Sequence, residues 1–120
     1  MTPGGADRRG TLPQLAMAKR RSTGLPLDGG QRRHLRALAH DLRPVVQIGK
    51  EGVSPGVVHA TDRALTDHEL IKVRLPRVDK DERRVLAETL RAGTRSELAG
   101  LTGRIVILYR RHPEEPKIRV

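Results

Sequence analysis

The 120-residue chain has no cysteine, phenylalanine or tryptophan, and Tyr109 is its only aromatic residue. Without cysteine, disulfides, thiolate zinc sites, iron–sulfur clusters and cysteine nucleophiles are excluded. The lack of thiols suits a reducing compartment. Without an aromatic platform the chain cannot stack bases as RRM sheets and OB-folds do. No apolar run approaches the roughly 20 residues of a membrane span. The N-terminus has no continuous apolar segment of the kind a secretory signal needs. A cytoplasmic location with no membrane partner is therefore expected. The length allows one domain with tails, because two domains would each bury too little core.

Charge is the strongest compositional signal. Lys and Arg number 24 against 14 Asp and Glu, a net charge of +10. A small chain this basic usually meets a polyanion, most often nucleic acid. Lacking aromatics, it would have to grip the backbone with Arg, Lys and main-chain amides. The plain alternative is a solvated basic surface with no specific partner.

Residues 1–26 read as a disordered basic tail. Gly4, Gly5, Gly10, Gly24, Pro3, Pro13 and Pro26 interrupt any helix, and Arg8, Arg9, Lys19, Arg20 and Arg21 carry its charge. Such a segment buries too little apolar surface to offset its ordering entropy. Met17 is read as the true start, with Ala18-Lys19-Arg20-Arg21 as a basic leader.

Asp28 with Gln31 forms a capping-box pattern, so a first helix starts near Asp28. Leu35, Leu38, Ala39 and Leu42 give its apolar face, Arg32, Arg36 and Arg43 fall on a neighbouring face with Arg33 beside them, and Pro44 stops it. Val45 to Ile48 reads as a short buried strand running into Gly49-Lys50-Glu51-Gly52. Ser54 and Pro55 open a second helix with Val57, Val58, Thr61, Ala64 and Leu65 inside and His59, Asp62 and Arg63 outside. Over residues 69–75, Ile71, Val73 and Leu75 share one strand face and Leu70, Lys72 and Arg74 the other.

Asp79 and Glu82 cap a third helix with a core face of Val85, Leu86, Thr89 and Leu90, and Gly93 suits its C-cap. Ser96 to Ala99 is a weak strand, Leu101-Thr102-Gly103 a turn, and Arg104 to Tyr109 the strongest strand. Residues 112–120 are expected to trail over the surface as a C-terminal tail. The order α-β-α-β-α-β-β predicts a single α/β domain over 27–111, a four-stranded mixed sheet packed with three helices. The third helix is expected to cross between strands two and three, and the last two strands to form a hairpin.

The glycine loop carries the chemistry. A strand, then Gly49-Lys50-Glu51-Gly52, then a capped helix places backbone amides at a helix N-terminus, where an anion is favoured. Lys50 adds a cation, and Glu51 must point away from any phosphate. A GxxG loop clamps a nucleic-acid backbone in KH domains by this logic; taken alone, the same four residues are also an ordinary tight turn. The longer Walker loop ending in Gly-Lys-Ser/Thr is missing, as is the dinucleotide fingerprint.

The five histidines have no metal-ligand spacing; Lys72 stands where a second ligand after His68-Glu69 would be. His40 with Asp41, or His68 with Glu69, are the only candidates for acid–base work, and adjacent residues point in different directions. No enzyme, cofactor, metal or small-molecule substrate is therefore expected.

Four ordered motifs carry a family resemblance. Gln31 to His40 resembles the opening helix of the chloroplast RNA splicing and ribosome maturation (CRM) domain. Pro44 to Gly52 is similar to its first strand and GxxG loop, His68 to Val73 to its second strand, and Gly103 to Arg110 to its last. The stand-alone arrangement resembles bacterial YhbY-type members.

The resemblance implies a fold like the C-terminal domain of translation initiation factor three. It also implies a non-catalytic protein that binds ribosomal RNA, or precursors of the large subunit, during assembly. The loop role falls on Gly49, Lys50 and Gly52, with Glu51 between them, and the basic face on Arg32, Arg33, Arg36 and Arg43. Lys72, Arg74 and Arg110 extend that surface. Val53-Ser54 departs conservatively from the family's Leu-Thr, and Leu98 to Thr102 is less typical. A monomer is expected. The rival reading is an interaction protein that docks on ribosomal proteins or assembly factors without touching RNA.

Overall fold

Asp28 starts the first helix as its spacing from Gln31 predicts. In the computed structural model, which describes residues 27–120, the Asp28 carboxylate accepts the Gln31 N–H at 2.7 Å. The Gln31 side-chain oxygen accepts the Asp28 N–H at 2.9 Å, closing the capping box. The basic tail expected over 1–26 and the start at Met17 lie outside the described residues.

The elements follow the expected order: α1 (Gly29–Ala39), β1 (Pro44–Gln47), α2 (Pro55–His68), β2 (Leu70–Arg74), α3 (Lys80–Thr94), β3 (Glu97–Thr102) and β4 (Ile105–Tyr109). Sheet order is β1-β2-β4-β3. β1 and β2 are parallel and joined through α2, while β4 pairs antiparallel with both β2 and β3. The crossover through α3 thus leads from β2 past β4 to β3. No helix among the described residues is long and apolar enough to cross a membrane.

Period-two alternation divides the sheet between two cores. Ile71, Val73, Val106 and Leu108 face α2 and α3, meeting Leu65, Leu86, Ala87 and Leu90. Leu70, Ile107, Tyr109 and Ala99 face the other way and meet Leu27, Leu35 and Ala39 of the α1 layer. Each such buried Leu or Ile contributes about 1.5–3 kcal/mol.

Several expectations need correcting. α1 ends at Ala39, before Pro44 can act, and the Lys72 ammonium donates to the His40 carbonyl at 3.1 Å just past its end. Leu35 and Ala39 alone turn into the core; Leu38 is 45% exposed at the flank, and Leu42, 40% exposed, lies beyond the helix. β1 is an edge strand rather than a buried one, with Val45 52% exposed.

In α3 the buried stripe is Leu86, Ala87, Leu90 and Thr94, whereas Val85 is 57% exposed and Thr89 faces solvent. Asp79 alone caps that helix, accepting the Glu82 N–H at 2.8 Å. Gly93 is not its C-cap. The helix runs on to Thr94, Arg95 takes the left-handed position at φ 55°, and Gly93 instead lies beside Val58 of α2. β3 extends well past Ala99 because an irregularity between Leu98 and Gly100 absorbs the broken pattern. The hairpin turn is Gly103-Arg104, with Gly103 at φ 57°.

The C-terminal segment does not trail loosely. Glu69 is 2% exposed, and its carboxylate accepts the N–H groups of His112 (2.9 Å), Lys117 (2.9 Å) and Ile118 (3.0 Å). Ile118 then packs on the α1-side core. Buried charge is tolerated here because backbone donors replace lost water. Glu69→Gln should lower stability in urea titration by about 1–3 kcal/mol. Amide exchange at His112, Lys117 and Ile118 should quicken most, while the β2 and β4 amides lose only as much protection as global stability falls.

Candidate nucleic-acid interface

Past β1, the Ile48 N–H donates to the Arg74 carbonyl at 2.9 Å. The chain then turns: the Gly52 N–H donates to the Gly49 carbonyl at 3.0 Å, and the Ser54 N–H to that of Gly52 at 3.0 Å. Ser54 caps α2 by accepting the Val57 N–H on its hydroxyl at 3.2 Å, with Pro55 at the first helical position, as expected. The N–H groups of Lys50 and Glu51, central in the turn, donate to no acceptor among the described residues, and both residues are exposed. A turn with exposed, unengaged amides just ahead of a helix N-terminus suits an anion.

The two glycines differ. Gly52 sits at φ 77°, where a side chain is strained, and a Cβ there would contact Leu86. Gly49 has no positive φ, and a Cβ there would meet nothing within 4 Å. Folding thus explains Gly52 and leaves Gly49 unexplained.

The structure sorts the expected cations into separate places. Arg43 and Arg74 lie beside β1 and line one open groove with Gln47. Lys50 stands in the turn itself. Arg33 is exposed on α1. Arg32 is half-buried near Glu97: burial pushes the Glu97 carboxyl up, and Arg91 and then Arg32 pull it back. Arg36 donates to the Ala99 carbonyl at 3.2 Å and lies so close over Gly100 that a Cβ there would come within 2.9 Å of its Cδ. Lys72 is engaged at the end of α1.

Arg110 has another task altogether. Its guanidinium bonds Asp62 Oδ1 (2.6 Å), the Thr94 carbonyl (2.8 Å), the Asp62 carbonyl (3.0 Å) and Thr66 Oγ1 (2.9 Å), tying α2 to the end of α3. Tyr109 pairs with Leu70, so Arg110 also stands at the opposite end of the sheet from the turn.

Two cations that sequence reasoning passed over stand at the turn's own end. Arg77 follows β2, and Arg104 occupies the hairpin, its Nε donating to the Leu75 carbonyl at 3.0 Å. Parallel pairing of β1 with β2 was the signal that could have found Arg77, since it brings both strand exits together. His40 and His68 are exposed, and among the described residues no three His, Asp or Glu gather as a metal cluster.

The family model of the CRS1/YhbY (CRM) domain matches residues 27–110. The chain belongs to this family. It is 38% identical over 87 residues to a probable RNA-binding protein of Pseudomonas aeruginosa, covering 72% of this chain and 84% of that one. It is 36% identical over 94 residues to the probable RNA-binding protein YqeI of Bacillus subtilis, covering 78% and 98%. It is also similar to the solution structure of a candidate RNA-binding protein from Staphylococcus aureus. That likeness has a TM-score of 0.71 and 40% identity, over 78% of this chain and 98% of the other. The CRM match takes in the turn, the groove and every helix and strand described, and leaves the C-terminal segment held by Glu69 outside it.

The contrast between the glycines is measurable in this CRM domain. Gly52→Ala should lose about 1–2 kcal/mol in urea titration, the cost of a side chain at positive φ. Gly49→Ala should stay within about 0.5 kcal/mol of the parent, as at an ordinary surface site.

Proposed function

We propose that this chain is a non-catalytic RNA-binding protein that holds the phosphodiester backbone on the Gly49–Gly52 turn. One observation carries the reading: the turn pairs exposed amides that have no acceptor among the described residues with a glycine, Gly49, that the fold does not require. An approaching phosphate gives that glycine a purpose, because a side chain there would stand between anion and amides. Lys50 supplies the countercharge, with Arg43 and Arg74 alongside. The net charge of +10 and the relatives named as RNA-binding proteins support the same partner class.

On this reading the RNA is ribosomal, and the bound form a precursor of the large subunit. Docking on a protein is favoured by one feature, the exposed Leu38, Leu42 and Val45. It predicts complexes that survive nuclease.

Filter binding across a salt series tests the proposal. Gly49→Asp should weaken RNA binding at least tenfold without changing the urea midpoint; unchanged affinity would overturn the loop's role. Lys50→Ala should make the salt dependence shallower by about 0.7 log units, one single-strand phosphate contact. In a sucrose gradient, the protein should travel with large-subunit precursors and leave them after RNase. Signal confined to the top of the gradient would refute the ribosomal assignment.

A further inference from the structure

The turn accounts for a phosphate but not for the groove beside it. That groove, about 540 Å³ and open to solvent, is lined by Arg43, Pro44, Val45, Val46, Gln47 and Arg74. Gln47 and Arg74 are register partners across the parallel β1–β2 pair, so their side chains rise from the same face of the sheet. Neither they nor Arg43 have a side-chain hydrogen bond among the described residues, and all three are exposed. Val45, beside them, is an apolar side chain left 52% exposed on an edge strand.

We propose that this groove is a base site for a single-stranded nucleotide whose phosphate sits on the Gly49–Gly52 turn. The inference rests on the phosphate reading of the turn and adds what the turn cannot supply, contact with the base. Gln47 is two residues from Gly49, about 7 Å of extended chain, a span one nucleotide bridges from phosphate to base.

The chemistry fits a base better than a second phosphate. A guanidinium is planar and stacks on a base, an option the chain needs because it has no aromatic side chain near the turn. Arg43 and Arg74 are the planar cations of the groove. Pro44 and Val45 give the apolar surface a base covers. The Gln47 amide offers two donors and an acceptor to a base edge. A duplex keeps its bases stacked and paired, so only a single strand can enter.

Fluorescence anisotropy with the full chain and 12-nucleotide homopolymers of U, C and A, beside an RNA duplex of equal length, tests this. The parent should bind single strands more tightly than duplex. The double change Arg43→Lys, Arg74→Lys keeps the charge and removes both planes. It should weaken single-strand binding about tenfold and duplex binding much less, with the salt slope unchanged. Gln47→Ala should bring the three homopolymer affinities together.

Equal parental affinity for duplex and single strand would overturn the proposal, as would unaltered single-strand binding by the double variant. An unchanged spread among homopolymers in Gln47→Ala would remove Gln47 as a base reader. Failure of the parent to bind RNA in any form would instead refute the RNA reading itself, and the groove with it. A groove-only failure leaves Gly49→Asp still weakening both RNA forms.

Discussion

A single residue, Glu69, separates α2 from β2, and the rest of the architecture turns on it. Its backbone sits at φ 65°, a conformation unfavourable by about 1–3 kcal/mol for a side-chain-bearing residue. Its N–H still closes the helix onto Leu65 and its carbonyl already accepts from Arg110. The carboxylate below them takes three backbone donors from the C-terminal segment. These bonds offset the strain and set where β2 begins. Because side chains alternate along a strand, a one-residue change in that starting point would exchange Leu70 with Ile71 between the two cores. The position of Arg74 beside Gln47 follows from the same parity.

Once β2 is fixed, the location of the candidate site is a matter of topology. β1 and β2 run parallel, so both leave the sheet at one end, and there the chain must turn back into α2 and α3. α1 packs on β2, β3 and β4, leaving β1 as an open edge. Turn, edge strand and adjoining cations are therefore exposed together by the way the layers cover the sheet. The arginines divide accordingly. Those above packed regions, Arg36 and Arg110, find carbonyls or a carboxylate and serve the fold, while Arg43 and Arg74 beside the bare edge have no side-chain hydrogen bond among the described residues.

Much of this was legible in the sequence, for identifiable reasons. Element order, both kinds of cap and the β2 alternation are written locally: Asp28 and Gln31, Ser54 and Pro55, and Ile71-Lys72-Val73 each state their structure within four residues. What misled was long-range. Leu38 and Val85 keep helical spacing with true core residues, yet the core face is set by what packs on it, and each lies just off that line. Gly93 looked like a helix end because glycine often is one; here it admits Val58 of the neighbouring helix. The C-terminal segment is low in apolar residues and held chiefly through backbone amides, a signal that side-chain identity cannot carry. Arg110 read as one more surface cation because its partners, Asp62 and Thr94, are distant in sequence.

The missing aromatics connect composition to mechanism. A protein that binds single strands through Phe or Tyr gains stacking that is nearly independent of salt. A protein that uses guanidinium planes gains stacking and charge from the same atoms. Its affinity should be strongly salt-dependent even where bases are contacted, and substitution of arginine by lysine should separate the two contributions. In this chain, the planar groups flank the edge strand β1, Arg43 just before it and Arg74 on the neighbouring β2, and Gln47 at its end is two residues from the turn. Charge neutralisation and base contact would then be neighbouring events on one rigid element. Discrimination among bases would fall to the amide of Gln47, the one groove side chain able both to donate and to accept. Such a surface would grip many RNAs and prefer few, so selection of one target would have to come from the target's exposed single strands more than from readout by the protein.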